Sequence, residues 1–366
     1  MHKNCLTYPV EFAKDAFGDS DALAKMLLDG RDAADDPRVF IVADQNVVQR
    51  TEGLGTRIGR YVRSHGIELA GSPVVVGGGE KVKLDDAQTA LTVAAQMMRA
   101  GVGGRDVVLA IGGGAVLDVA GWAVAQAAAG AGVVRMPTTP EAMLDAAFAE
   151  YAALDTVAVK DALRVGSVPA GVVVDTTFAS TVLDGVWRGG IGEAVRLAVS
   201  RDASFLKKLK SLAGDYGRRD ADALDEIVSG AYAVRAKKGG SSFGLWSAMR
   251  LQAMSGWKLP HGYAVAIGVL VDVSYAVAAG VLPEKARDEI VDFFDVCGTL
   301  DGLVHSQYLL QQVDALARGV AEWRRVSPDG TVEVLAGVGK TGAASDLDAD
   351  VLREALGHLV ALPSRR

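Results

Sequence analysis

Gly112-Gly113-Gly114-Ala115-Val116-Leu117-Asp118-Val119-Ala120-Gly121 is the stretch that decides the fold class. It follows Val107-Val108-Leu109-Ala110-Ile111, a short apolar run with the composition of a buried parallel strand. It leads into an alanine-rich, proline-free segment that runs to about Ala129 and is made of good helix formers. Strand, glycine turn and helix N-terminus together make an anion site. Backbone N–H groups and the positive end of the helix dipole face the anion, and glycine lets the backbone come close. The pattern points to a bound dinucleotide.

Outward from this stretch the first half of the chain alternates. Residues 38–43 read as a strand ending at Asp44, and residues 73–76 as a strand ending in Gly77-Gly78-Gly79. Residues 85–100 read as a helix with Gly101 in the C′ position. Residues 132–136 form a further strand, closed by Pro137-Thr138-Thr139, and residues 171–175 form the last. Strands alternating with helices imply a parallel sheet covered on both faces. From Thr181 onward the pattern is helical, with one strand at residues 331–335 and a turn at Ser327-Pro328-Asp329-Gly330. The expected organisation is therefore an α/β dinucleotide-binding domain over residues 1–180, with a Rossmann-like parallel sheet, and an all-α domain over residues 181–366.

Composition narrows the class. The chain has 366 residues, enough for two cores, and half of them are hydrophobic, which marks a globular protein. A net charge of −7 argues against nucleic acid as a partner. The longest apolar run, residues 264–282, carries Asp272 and two glycines and reads as a core helix rather than a membrane span. The two cysteines, Cys5 and Cys297, form neither a disulfide framework nor a zinc knuckle, so a cytoplasmic location is expected. The first twelve residues hold charges and no apolar core, so no secretory signal is expected.

The motifs, in their order, resemble the dehydroquinate synthase family, the sugar phosphate cyclases. The family's GGGxxxDxxGF corresponds to residues 112–122, its VPTT to Met136-Pro137-Thr138-Thr139, and its following aspartate to Asp145. Its GxAEV corresponds to residues 190–195 and its HGEAVAIGM to residues 261–269. The likeness covers roughly residues 38–340. It implies an N-terminal NAD-binding domain, a helical C-terminal domain, an active site between them, and a homodimer. On the cofactor side it assigns Asp44 and Asn46 to the adenosine, where a carboxylate that accepts both ribose hydroxyls favours NAD over NADP. It assigns Gly113, Gly114 and Asp118 to the pyrophosphate and nicotinamide side. Glu80 and Lys83, Thr138 and Thr139, Lys160, and Phe178 and Thr181 near the adenine complete the set. Read without the resemblance, Asp44 is a helix cap and Asp118 a solvated turn residue.

The chemical half departs from the family pattern. Family members hold a divalent metal with one glutamate and two histidines. Glu193 and His261 keep two of those positions, but the third falls on Leu245, and a catalytic histidine position falls on Met249. Neither can bind zinc or carry a proton. Two protein ligands do not close a catalytic zinc site, so no zinc or cobalt site is assigned. Arg196 stands where the family has a catalytic lysine, on the same helix face as Glu193. Tyr151 stands in place of another lysine, and Ala129 in place of an arginine that meets substrate phosphate. The family's acidic and arginine-bearing segment between Arg235 and Leu245 is shortened. Glu193 then has two readings, a catalytic carboxylate or a buried acid paired with Arg196, and His261 is otherwise a helix-entry histidine bonded to backbone. His2, His65, His305 and His358 have no partners at ligand spacing.

These residues imply an NAD-binding enzyme diverged from metal-dependent cyclisation, acting on a small hydroxyl or carbonyl compound in specialised metabolism. It is not expected to make 3-dehydroquinate. Glu193, Arg196, Tyr151, Lys160, Asp145 and His261 are its candidate catalytic residues. Tyr151 would act as an acid or base if a nearby cation lowered its pKa. Two alternatives stay open: an inactive NAD-binding partner protein, and a polyol dehydrogenase of the related iron-type family.

Overall fold

The computed structural model describes residues 5–28, 38–327 and 329–362. His2, Pro328 of the expected turn, and the start of the segment read for a signal lie outside the described residues. The chain divides into two compact units. One comprises residues 7–156 and 161–183; the other comprises residues 184–366 together with the N-terminal residues and the short stretch Val157–Lys160.

The first unit is built on β1 (Val10–Ala13), β2 (Arg38–Asp44), β3 (Glu68–Leu69), β4 (Val74–Val76), β5 (Val107–Gly112), β6 (Gly132–Pro137), β7 (Tyr151–Leu154), β8 (Leu163–Gly166) and β9 (Gly171–Asp175). Seven of these form one sheet in the order β1-β9-β6-β5-β2-β3, with β4 also pairing β2, and every pairing in it is parallel. All six residues of β5 are buried, as its unbroken apolar run requires of a strand covered on both faces. Four strands escape the sequence reading. β1 and β3 are edge strands with little apolar patterning. β7 and β8 form a separate antiparallel hairpin with the register Tyr151↔Gly166. The helix expected at residues 85–100 begins later, at Gln88, because Asp86 and Ala87 take left-handed conformations. Asp85 Oδ2 accepts the Thr89 N–H at 3.0 Å. The helix ends as expected, with Gly101 at φ +64° and the Val102 N–H bonded to the Met97 carbonyl, a Schellman close.

The second unit is mainly helical. Asp202, Asp220 and Asp348 each cap a helix through their side chains. Proline precedes the helices His261–Ala278 and Glu284–Val296. The strand expected at residues 331–335 is β10 (Val332–Gly337). It pairs antiparallel with β11 (Lys340–Ala344), so a β-hairpin joins the helices and the unit is not purely α-helical. Helix His261–Ala278 is the one described helix long and apolar enough to cross a membrane, yet most of it is buried inside this unit, as the sequence reading of a core helix requires.

Candidate active site

In the first unit the chain passes from β2 to β3 and β4 on one side of β2, then places β5 on the other side. The carboxyl ends of β2 and β5 therefore flank a topological switch point, where open α/β sheets bind ligands. Asp44 closes β2 there and is buried. Its Oδ1 accepts the Asn46 N–H at 2.7 Å, capping the short helix Gln45–Arg50. The glycine turn after β4 lies against this pair. A Cβ on Gly78 would sit 2.5 Å from both Asp44 Oδ2 and Asn46 Nδ2, so no side chain fits. Gly113 is the N-cap of helix Gly114–Ala127 and gives it no side-chain cap, so its terminal N–H groups face the crevice. Beside it the Thr138 N–H bonds to the Gly112 carbonyl. The Thr138 side chain is fully buried, and its Oγ1 has no hydrogen-bond partner. A buried orphan hydroxyl is costly and calls for a partner, a water or a ligand group. Thr139 caps the short helix Pro140–Leu144. Phe178 is buried, and Thr181 Oγ1 donates to its carbonyl at 2.8 Å.

Glu80 opens a single 3₁₀ turn that ends in Lys83. The buried Lys83 ammonium lies 2.6 Å from Asp118, 2.8 Å from Asp161 and 3.5 Å from Asp155. Burial opposes its charge, but the Asp118, Asp161 and Asp155 carboxylates with Glu80 outweigh burial and hold its pKa well above the ordinary value. Asp118 is thus one arm of a buried ion network and not a solvated turn residue. Tyr151 borders the same network. Its hydroxyl lies 3.5 Å from Asp161 Oδ2, and the Arg164 guanidinium lies 4.5 Å from its ring centre. Burial, then Asp161, push the phenol pKa up, and Arg164 only partly offsets them. The condition set for Tyr151 as an acid–base residue, a pKa lowered by a cation, is therefore not met, and the phenol keeps its proton. Asp145 precedes the 3₁₀ turn Ala146–Phe148.

The second unit brings Glu193, Arg196 and His261 together. Helices Asp184–Arg201 and His261–Ala278 cross at glycines, where a Cβ on Gly262 would lie 2.5 Å from the Gly189 backbone. That approach sets His261 Nε2 3.6 Å from Glu193 Oε1. Arg196 reaches Glu193 Oε2 through Nε at 2.7 Å and Nη2 at 2.5 Å. His261 Nδ1 meets Gln252 Oε1 at 2.8 Å. Leu245 begins helix Leu245–Met254, which also carries Trp246, Met249 and Gln252. Lys160 belongs to this unit, where it lines a small pocket with Trp246, Met249, Arg250, Glu322 and Trp323. Leu245 and Tyr151 are not part of that lining. Among the described residues no three His, Cys, Asp or Glu side chains converge as a metal site. Glu193 is already neutralised by Arg196, so the donor set does not fit a divalent ion. Of the surface cations, Lys238 pairs with Asp202 and Arg324 donates to the Gly330 carbonyl.

Several residues with a part in these arrangements are missed by the sequence reading. Asp155 and Asp161 have no motif, and only their position beside Lys160 hints at them. Arg135 lies within β6, where a charge reads as an exception. It is about 1% exposed and donates to the Ser167 carbonyl at 2.7 Å and to carbonyls of residues 146–151, tying the β7–β8 hairpin to the sheet. Gln252 and Asp272 look like ordinary helix residues. Asp272 Oδ1 accepts Trp246 Nε1–H at 2.7 Å, and Oδ2 accepts the Gly244 N–H at 2.8 Å.

Residues 73–188 match the family model of the 3-dehydroquinate synthase N-terminal domain. A 3-dehydroquinate synthase of Pelobacter propionicus is 28% identical over 230 residues, 60% of this chain, and the matched part spans 64% of that relative's length. A 2-epi-valiolone synthase of Actinosynnema mirum is 26% identical over 346 residues, covering 91% of this chain and 87% of the relative. Among solved structures, a 2-epi-5-epi-valiolone synthase from Streptomyces hygroscopicus subsp. jinggangensis with NAD+ and Zn2+ bound superposes with a TM-score of 0.78 at 20% identity, covering 97% of each chain. That likeness is one of fold.

Proposed function

We propose, from the premise that this chain belongs to the dehydroquinate synthase-like sugar phosphate cyclase family, that it is an NAD-binding enzyme that works without a divalent metal. The buried, unpartnered Thr138 hydroxyl beside the uncapped helix N-terminus at Gly113 carries the reading. Asp44 and Asn46 would hold the adenosine ribose. Gly113 and Gly114 would hold the pyrophosphate, with Thr138, Thr139, Glu80, Phe178 and Thr181 around them. Bound NAD would supply reversible hydride acceptance at a hydroxyl-bearing carbon. Lys83, 2.6 Å away, would fix Asp118 in position, and Tyr151 keeps its proton and would act as a donor.

The substrate is a small hydroxyl or carbonyl compound of specialised metabolism, and 3-dehydroquinate is not the product. The retained Glu193 and His261, the replacement of a third ligand by Leu245, and the ion pair to Arg196 support this. A cytoplasmic homodimer fits the reading. Calorimetry with NAD+ and NADP+ tests it first: NAD+ binds, and NADP+ binds at least about tenfold more weakly, because a 2′-phosphate meets the Asp44 carboxylate. Absence of NAD+ binding would refute the proposal. Incubation with 3-deoxy-heptulosonate 7-phosphate should yield no dehydroquinate. NAD+ binding with no turnover across a panel of hydroxyl and carbonyl compounds would instead favour an inactive partner protein, a reading the buried Glu193–Arg196 pair also suits.

A further inference from the structure

The first turn of helix His261–Ala278 sends its side chains to two different places. His261 meets Gln252 and Glu193. Tyr263, two residues on, leaves the helix on another side, since positions i and i+2 do not share a face. Its ring packs on Gly302, where a Cβ would sit 2.4 Å from Tyr263 Cδ1, so glycine lets helix Asp301–Leu310 come this close. Between that helix and the loop leading into His261 lies a cavity of about 410 Å³, bordered by Lys258, Leu259 and Pro260 on one side and by His305, Ser306 and Tyr308 on the other. That volume is within the range of small-molecule sites. The loop wall is already fixed: Ser255 Oγ accepts the Lys258 N–H at 3.1 Å and the Leu259 N–H at 3.0 Å.

How deep each group lies decides the ligand. Ser306 is 4% exposed, and among the described residues its hydroxyl has no hydrogen-bond partner. A buried hydroxyl in that state calls for a water or a ligand group. Tyr263 is half-buried, and its hydroxyl also has no partner among the described residues. Burial holds the phenol above its ordinary pKa, so it keeps its proton and donates. Leu259 is buried beside them. The inner wall is therefore neutral, and a charged ligand group set against it would lose its water and gain no counter-charge. Charge sits at the rim, where Lys258 and Asp301 are exposed and of opposite sign. Exposed charges add little affinity for a charged ligand, but they supply a donor and an acceptor. His305 donates Nδ1–H to the Asp301 carbonyl at 2.7 Å, which leaves Nε2 of the neutral ring as a further acceptor. Tyr308, 55% exposed, adds an aromatic face. Donors and acceptors around apolar and aromatic surface, with no net charge, suit a ring compound whose hydroxyls both give and take hydrogen bonds.

We propose that this cavity is a second binding site, separate from the Glu193–His261 cluster, for a neutral polyhydroxylated ring compound of the mono- or disaccharide kind. Ser306 and Tyr263 bond its inner hydroxyls, and Tyr308 covers one of its C–H faces. The site stands on the helical unit alone and does not depend on NAD binding.

Saturation-transfer NMR on the full chain tests it, with glucose, maltose and myo-inositol as neutral probes and glutamine, citrate and spermidine as charged ones. At least one neutral probe should bind at millimolar concentration. Ser306→Ala and Tyr308→Ala should each weaken that binding by about threefold or more, because each removes one neutral contact. Both variants should melt with the wild type, since alanine suits a helix and Tyr308 is exposed. Binding of the neutral probes that survives both substitutions would place them elsewhere and overturn the proposal. So would silence from all three neutral probes, or a stronger response from a charged probe that the same substitutions abolish.

Discussion

Replacing Asp272 by asparagine should remove a pH dependence that the wild-type fold carries. Asp272 is buried on helix His261–Ala278, and its two oxygens fasten Trp246 and the Gly244 N–H at the head of helix Leu245–Met254. Burial pushes its pKa up to about 7 from 3.8; the two N–H donors restrain the rise, and the Glu333 carboxylate adds to it. The folded value lies above the unfolded one, so the folded state keeps its proton longer. Stability from that proton is fully present below about pH 4 and is lost as pH rises through 7. At pH 5 the unfolded chain has already ionised this group, and roughly two pH units remain before the folded state follows. At about 1.4 kcal/mol per unit, the term is worth about 3 kcal/mol at pH 5 and close to nothing at pH 8. Urea unfolding of wild type and Asp272→Asn at half-unit steps from pH 5 to 8 measures it, since every other carboxylate titrates in both proteins and cancels in the difference. The stability gap in favour of wild type should be widest at pH 5 and shrink by about 3 kcal/mol towards pH 8. A gap that stays constant across that range would refute the assignment of a raised pKa to this buried carboxyl.

Gly78→Ala puts a methyl 2.5 Å from the Asp44 carboxylate; NAD+ affinity by calorimetry should fall at least about tenfold, with thermal stability changed by about 1 kcal/mol. Lys83→Met strips the counter-charge from three aspartates and should cost about 3–5 kcal/mol at pH 7, part of which returns at pH 5 as they take up protons; a loss equal at both pH values would contradict the network. Cys297 is buried and its thiol is pushed up to about 12, first by burial, whereas Cys5 is exposed. A thiol reagent at pH 8 should therefore titrate one group in the native protein and two in denaturant, and two fast native thiols would show that Cys297 is accessible.

The crevice at the carboxyl ends of β2 and β5 was readable because its signals are local. Glycines at a strand end, a helix without a side-chain cap and an aspartate closing β2 are set by neighbours in sequence, and the switch point follows from strand order. Asp44 caps a helix, and the same carboxylate stands at the crevice. The hairpin of β7 and β8 was not readable, because its strands are four residues each, β8 is partly exposed, and Arg135, which ties it down, comes from another strand.

Alternation of apolar strands and helices, the glycine turn at residues 112–114 and the change of pattern near residue 180 are written in the sequence, since each depends on backbone preference and burial period over a few residues. Tertiary structure alone decided which charges meet. Lys83 finds Asp118 and Asp161 from 35 and 78 residues away. Glu193 and His261 meet only because glycines let two helices touch. Asp272 acquires its raised pKa from the solvent it loses and not from the residues beside it in the chain. Periodicity reports how each segment is buried. A charge reports nothing until packing has chosen its partner and its dielectric.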